Sequence, residues 1–198
     1  MIIGISGKIG SGKDTAGKII TELMPSFEVK KYADKLKYIV SILIGCSKEE
    51  LENQNFKMNP CSPEWQHAIK HAKTMTPRLM LQLIGTEGGR DLIHHNIWVN
   101  ALFADYNHGF NADEEVFSMP DWVITDMRFP NELDAVKQRG GITIRIERGA
   151  GNTGDHPSET ALDNAQFDHR LDNNGTLENL RNDIVTILTM EGISYVDR

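Results

Sequence analysis

Residues 7–15 read Gly7-Lys8-Ile9-Gly10-Ser11-Gly12-Lys13-Asp14-Thr15. Glycines at this density let a backbone curl so that successive N–H groups converge on phosphate oxygens. Lys13 follows Gly7-x-x-x-x-Gly12, the spacing at which an ammonium reaches the β- and γ-phosphates of a nucleotide. Gly10, Ser11, Gly12, Lys13, Asp14 and Thr15 are therefore candidates for holding a nucleoside triphosphate. Asp14 stands where a Ser or Thr hydroxyl usually ligates magnesium. A carboxylate can take Mg2+ directly or through water, or it can simply complement the dipole of a helix that starts there. Thr15 could bond an α-phosphate oxygen.

Further groups suit the same chemistry. Asp126 ends the apolar run Trp122-Val123-Ile124-Thr125, where a second acid can order a magnesium shell. Two residues on, the Arg128 guanidinium matches a transferring phosphoryl group. Lys13, Arg128 and Asp126 are thus the catalytic candidates, and Asp14 and Asp126 the metal candidates. The plainer roles are a helix cap for Asp126 and an ion pair to Asp126 or Glu132 for Arg128. Arg78, Gln82, Thr86 and Arg90 recur every four residues, which aligns them on one helix face. Two guanidiniums could take phosphate there while the amide reads a base edge. A solvated face would carry Glu and Lys instead. Asp34, Lys37, Trp98, Arg148, His156 and Glu159 complete the substrate candidates. Their plainer roles are helix capping, packing and loop structure. The seven histidines show no metal-ligand spacing.

These residues need elements to hold them. Ile2, Ile3 and Ile5 read as a short buried strand before the glycine loop. Ala16, Ile19, Ile20 and Leu23 continue at helical spacing to Pro25. A second strand is expected over Phe27–Tyr32, followed by a helix carrying Leu36, Ile39, Val40, Leu43 and Ile44 and stopped by Gly45. Residues 47–111 read as helical with loops: Thr76-Pro77 opens one helix and Asn96 another. Asn107–Met119 reads as a polar surface loop. Strand character returns at Trp122–Thr125, and Pro130 starts a helix with Leu133 and Val136 inward. Ile142, Ile144 and Ile146 alternate with Thr143, Arg145 and Glu147 as a strand. A short strand near Phe167–Leu171 and a helix carrying Leu177, Leu180, Ile184, Ile187 and Leu188 close the chain. Alternating strands and helices predict an α/β fold with a parallel sheet flanked by helices. Ligands then bind beyond the carboxyl ends of the strands. The P-loop, Ala33-Asp34-Lys35, Asp126-Met127-Arg128 and Arg148 are expected on that edge.

The chain has 198 residues, the size of one domain with a proper core. A net charge of −7 argues against nonspecific nucleic-acid binding, which needs a basic footprint. Cys46 and Cys61 lack metal spacing and read as free thiols. No stretch is long and apolar enough to span a membrane and no secretory signal is visible, so a cytoplasmic protein without a membrane partner is expected.

The combined blocks carry a resemblance. They are Gly7 to Thr15, Tyr32-Ala33-Asp34, Leu81-Gln82-x-x-Gly85-Thr86-Glu87-x-x-Arg90 with Trp98-Val99, and Thr125-Asp126-x-Arg128-Phe129-Pro130-Asn131-Glu132. His156-x-Ser158-Glu159 and Asn173-Asn174-Gly175-Thr176-Leu177 continue the pattern. Together they resemble the deoxynucleoside monophosphate kinases of tailed bacteriophages over nearly the whole chain. The resemblance implies a P-loop kinase fold and transfer of the ATP γ-phosphoryl group to a deoxynucleoside 5′-monophosphate, for DNA precursor synthesis. It implies that Lys13 and Thr15 bind ATP and that Arg78, Gln82 and Arg90 serve the acceptor. On this reading 1–198 is a single domain, with a helical acceptor-binding insertion over about 46–112 and a lid-like loop over about 148–165. ATP and Mg2+ are the expected cofactors, and a homodimer is left open. Two other readings share the P-loop: a kinase of another small molecule, such as dephospho-coenzyme A or phosphomevalonate, and a nucleotide-binding regulator.

Overall fold

The structure is a computed structural model, and it describes residues 1–66, 74–106, 109–111, 116–149 and 160–196. The chain forms two compact units, one of Met1–Lys31 with Phe103–Arg198 and one of Tyr32–Leu102.

The first unit holds β1 (Ile2–Gly7), α1 (Lys13–Leu23) and β2 (Phe27–Lys30). The chain then passes through the second unit, with α2 (Asp34–Ile44), α3 (Gln54–Met58), α4 (Pro77–Gln82) and α5 (Ile97–Phe103), whose last residue is already in the first. It continues with β3 (Gly109–Asn111), β4 (Val116–Ser118), β5 (Asp121–Met127), α6 (Pro130–Lys137), β6 (Ile142–Glu147), β7 (His169–Asp172) and α7 (Leu177–Met190). Five strands form a parallel sheet in the order β2-β5-β1-β6-β7. The expected α/β architecture is therefore present. β1 lies in the middle, and its glycine loop leaves at the point where the strand order reverses, where open α/β sheets take ligands. Because the strands are parallel, Gly7, Lys30, Met127, Glu147 and Asp172 all end on one edge.

One sheet face is apolar because Ile3, Ile5, Val123, Ile144 and Ile146 share it. They pack under α1 and α7 through Ile19, Ile20, Leu23, Leu180, Ile184, Ile187 and Leu188. Each such side chain, fully buried, contributes roughly 1.5–3 kcal/mol. Gly17 lets α1 come close. A Cβ there would stand 2.4 Å from Thr125 Cγ2, which any larger residue would have to displace. On the other face α6 packs Leu133 and Val136 inward, and Thr143 and Arg145 of β6 are buried as well. Polar burial at those positions follows from a sheet covered on both faces. Trp122 packs between Tyr106 and Phe103, with ring centroids 4.6 and 6.1 Å away.

The pairing of β1 with β5 slips by one residue. Gly4 pairs with Ile124, yet Ser6 pairs with Met127. The extra residue is a bulge at Thr125–Asp126, a device that re-aims side chains next to active sites.

Three local expectations are corrected. Asn107–Met119 is not simply a surface loop, since β3 and β4 pair antiparallel within it. Their backbone register (Gly109 with Ser118, Asn111 with Val116) supplies the hydrogen bonds that a polar composition hides. β2 stops at Lys30 rather than Tyr32, because the chain turns there into α2. Leu177 is 64% exposed rather than inward: it is the first residue of α7, and the packed row begins at Leu180.

The second unit is helical, around Val40, Leu51, Met75 and Met80. α2 ends on Gly45 at φ 68. Thr76 Oγ1 caps α4 by accepting from the Leu79 N–H at 3.2 Å. Gln66 ties two strands of backbone: its amide donates to the Cys61 and Met75 carbonyls and accepts from the Met75 N–H. Among the described residues no helix is long and apolar enough to cross a membrane.

Candidate active site

The glycine loop folds into an anion cradle at the start of α1. Gly12, at φ 102, caps the helix. A Cβ there would fall 2.3 Å from Asn173 Nδ2, so both the conformation and the space demand glycine. Asn173 follows β7. Its side-chain amide donates to the Ser11 carbonyl at 2.9 Å and its backbone N–H to the Glu147 carbonyl at 2.7 Å. The turn after β7 thereby pins the loop. Lys13 is only 8% exposed. Its Nζ donates to the carbonyls of Gly7 and Lys8, each at 2.7 Å. Ser11 Oγ is buried with no partner among the described residues. A tethered ammonium, an unsatisfied hydroxyl and a helix N-terminus at one place fit the oxygens of a polyphosphate.

Asp14, in the first turn of α1, accepts from Lys31 Nζ at 2.8 Å and from Thr125 Oγ1 at 3.2 Å on the same oxygen. Burial works to raise its pKa. The hydrogen bond and charge of Lys31, the Thr125 hydroxyl and the Lys13 charge outweigh it, so the carboxyl sits below the usual aspartate value. Asp14 is thus an anion at the rim of the cradle, with Thr15 exposed beside it. Asp126 is the penultimate residue of β5, at the bulge. No group of three or more His, Cys, Asp and Glu gathers to hold a metal among the described residues. Mg2+ binds through one or two carboxylates with substrate phosphates and water supplying the rest, so Asp14 and Asp126 could hold it only together with a bound nucleotide.

Arg128 follows β5 on the same edge and is partly buried. Glu132 Oε2 accepts from the backbone N–H groups of Arg128 and Phe129 at 2.7 and 3.0 Å. The acid thereby caps α6 and fixes the main chain that carries Arg128. Arg148 is exposed just past β6. Next to it, the Gly149 N–H donates to Asn174 Oδ1 at 2.7 Å. Arg170 pairs with Glu147 at 2.6 Å and donates to the Ala165 carbonyl.

In the helical unit the row Arg78, Gln82, Thr86 and Arg90 does not lie on one α-helix. α4 gives way after Gln82 to a π-helix over Leu83–Ile93. Four-residue spacing still keeps the row on one side, because a π turn takes more than four residues where an α turn takes fewer. π segments are rare and concentrate at functional sites. Arg78 is exposed, and Gln82, Thr86 and Arg90 are partly so. Gly85 and Gly89 lie on the buried side. The Gly85 carbonyl accepts from Trp98 Nε1 at 2.7 Å, and the Trp98 ring approaches Gly89. Trp98 is 6% exposed, so it supports the π-helix and has little face to offer a base. Asp34 pairs with Lys48 at 2.9 Å and Lys37 with Glu52 at 2.6 Å. His156 and Glu159, with most of the lid-like loop, lie outside the described residues.

Sequence reasoning assigned no role to Lys31, Arg145, Asp163 or Asn173. Only Asn173 had a visible signal, in the Asn173-Asn174-Gly175 turn.

The family model described as deoxynucleotide monophosphate kinase matches residues 37–184. A protein of Acanthamoeba polyphaga mimivirus, provisionally named a deoxynucleotide monophosphate kinase, is 32% identical over 94% of this chain and 95% of its own. The deoxynucleoside-5′-monophosphate kinase of Escherichia phage T5 is 24% identical over 96% of this chain and 97% of its own. The deoxynucleotide monophosphate kinase of Escherichia phage RB69 is 28% identical over 58% of this chain and 46% of its own. The glycine loop precedes the span matched by the family model and stands on its own geometry. With three quarters of the chain inside that span, this protein belongs to the deoxynucleotide monophosphate kinase family.

Proposed function

We propose that the chain transfers the γ-phosphoryl group of ATP to a deoxynucleoside 5′-monophosphate, giving the diphosphate and ADP for DNA precursor synthesis. The observation that carries the ATP half is the cradle, where Lys13 Nζ, the free Ser11 hydroxyl and the start of α1 come together. The family supports the acceptor half. Arg78, Gln82, Thr86 and Arg90 hold the acceptor, with Trp98 bracing the π-helix beneath them. Asp34, Lys37, His156 and Glu159 are further acceptor candidates.

The acceptor phosphate is already anionic and needs no strong base. Its oxygen forms a bond to the γ-phosphorus as the bond to the β,γ-bridging oxygen breaks, and ADP leaves with that electron pair. The protein supplies in-line positioning and charge stabilisation. Lys13 holds the β- and γ-oxygens, Thr15 an α-oxygen, and Arg128 and Arg148 offset charge on the transferring group. Asp14 and Asp126 would hold Mg2+, directly or through water. The ion would neutralise charge on the phosphate oxygens. Viral relatives and an acidic chain suggest work on small molecules in a host cytoplasm, as a monomer or homodimer.

ADP release should be measured with ATP and Mg2+ against the common dNMPs, their ribonucleotide counterparts, dephospho-coenzyme A and phosphomevalonate. Turnover with particular dNMPs is expected. Turnover confined to a non-nucleotide acceptor would contradict the reading.

A further inference from the structure

A charged group is buried one strand away from the cradle. Arg145 is 5% exposed and stands opposite Ser6 in the β1–β6 ladder. Its Nη1 donates to Ser6 Oγ at 3.0 Å and its Nη2 to Asp163 Oδ1 at 2.7 Å. The other Asp163 oxygen lies 3.4 Å from Lys8 Nζ. Lys8 belongs to the glycine loop, and its carbonyl is one of the two that hold Lys13. Contacts therefore run without a break from Arg145 through Asp163 and Lys8 to Lys13. A second contact fixes Ser6, the residue just before the loop begins. Arg145 Nε is buried without a partner. Fold stability alone is a poor account of such a group, because apolar residues of similar volume usually fill such a place at no loss.

We propose that Arg145 and Asp163 are positioning residues for the glycine loop, acting through Lys8 to aim the peptide on which Lys13 rests. Two of the three Lys13 ammonium donors rest on the Gly7 and Lys8 carbonyls, so these carbonyls set where the third points. The orientation of the Lys8 peptide therefore bears on how readily the loop accepts ATP. The guanidinium suits the task because it can bond Ser6 and Asp163 together, which a lysine ammonium at that depth does less well. The proposal rests on the ATP half of the reading above and is independent of the acceptor.

The test uses the full chain with Lys8→Met, Asp163→Asn, their double variant and Arg145→Lys. Four quantities are read: the Kd of a fluorescent ATP analogue without acceptor, the separate KM values for ATP and dNMP, and the thermal midpoint. Lys8→Met and Asp163→Asn should each weaken binding of the analogue about three- to fivefold, the upper end for one partly exposed ion pair. The dNMP KM should stay within about twofold, since the acceptor contacts are untouched. The double variant should bind no worse than the weaker single, as expected for residues acting in one chain of contacts. Arg145→Lys should fall between parent and Asp163→Asn. Lys8→Met leaves the Arg145–Asp163 pair in place, so it stays decisive if the other variants fail to fold. Unchanged binding in Lys8→Met would overturn the proposal. So would losses that simply add in the double variant, or a loss in Lys8→Met with none in Asp163→Asn, since Lys8 would then touch ATP itself. A parent protein that binds the analogue but phosphorylates no dNMP would sink the acceptor reading and leave this comparison intact.

Discussion

Two donors of the Lys13 ammonium are committed to the Gly7 and Lys8 carbonyls, at 2.7 Å each. Those carbonyls hold the charge at the start of α1 without neutralising it. Lys13→Ala should therefore cost catalysis much more than folding. Turnover should fall by roughly 10²–10³, as when one preorganised charge stabiliser is removed. The loss of stability should stay near 1 kcal/mol, a shift of about 2–4 °C in Tm for a chain of this size. Near-normal turnover would remove Lys13 from the phosphate site. Arg90 tests the other substrate. It sits in the last turn of the π-helix, directly after Gly89, which the Trp98 ring approaches. If Arg90 holds the acceptor as proposed, Arg90→Ala should raise the dNMP KM about tenfold, the scale of one charge-assisted contact, and leave the ATP KM near its parent value. Unchanged acceptor kinetics would exclude it.

At the scale of elements, α1 matters twice: its first turn closes the cradle and its body lies on β5. Gly17 is where the two meet. Gly17→Ala would gain about 1 kcal/mol of helix propensity, but its Cβ would stand 2.4 Å from Thr125 Cγ2. Overpacking of that kind costs about 1–3 kcal/mol. Because Thr125 also donates to Asp14, a shift of the helix would disturb the cradle as well. A lower Tm in thermal unfolding is expected, and an unchanged or higher one would mean that helix and strand are not held this closely. The π-helix is the second element with a function to explain. It broadens the turn that presents Thr86 and Arg90, while Trp98 holds it through the Gly85 carbonyl.

At the scale of the whole molecule, what could be read from the chain was what local pattern encodes. The glycine loop, the isoleucines of β1, the helical row from Ala16 to Leu23 and the Pro130 start of α6 all signal within a few residues. They sufficed for a parallel α/β fold with the glycine loop at the edge of the sheet. What escaped depends on partners distant in sequence. The strand alternation of Thr143 and Arg145 looks the same whether that face meets solvent or protein, so the burial of Arg145 and its contact with Asp163 had no local sign. Asn173 reaches Ser11 across 162 positions. The β3–β4 hairpin is stabilised by backbone pairing rather than by an apolar pattern, and four-residue spacing reads alike in an α- and a π-helix. The extent of the helical unit, Tyr32–Leu102, likewise emerges only from which segments pack together.

The central claim is that phosphate passes from ATP to a nucleotide acceptor. It is tested most directly by following the label of γ-³²P-ATP in the presence of Mg2+ and each dNMP, with a blank lacking acceptor and with Lys13→Ala alongside. The account predicts label in the corresponding dNDP, almost none in inorganic phosphate, and at most a trace in dNDP for Lys13→Ala. Label released as inorganic phosphate at the same rate with and without acceptor would contradict it.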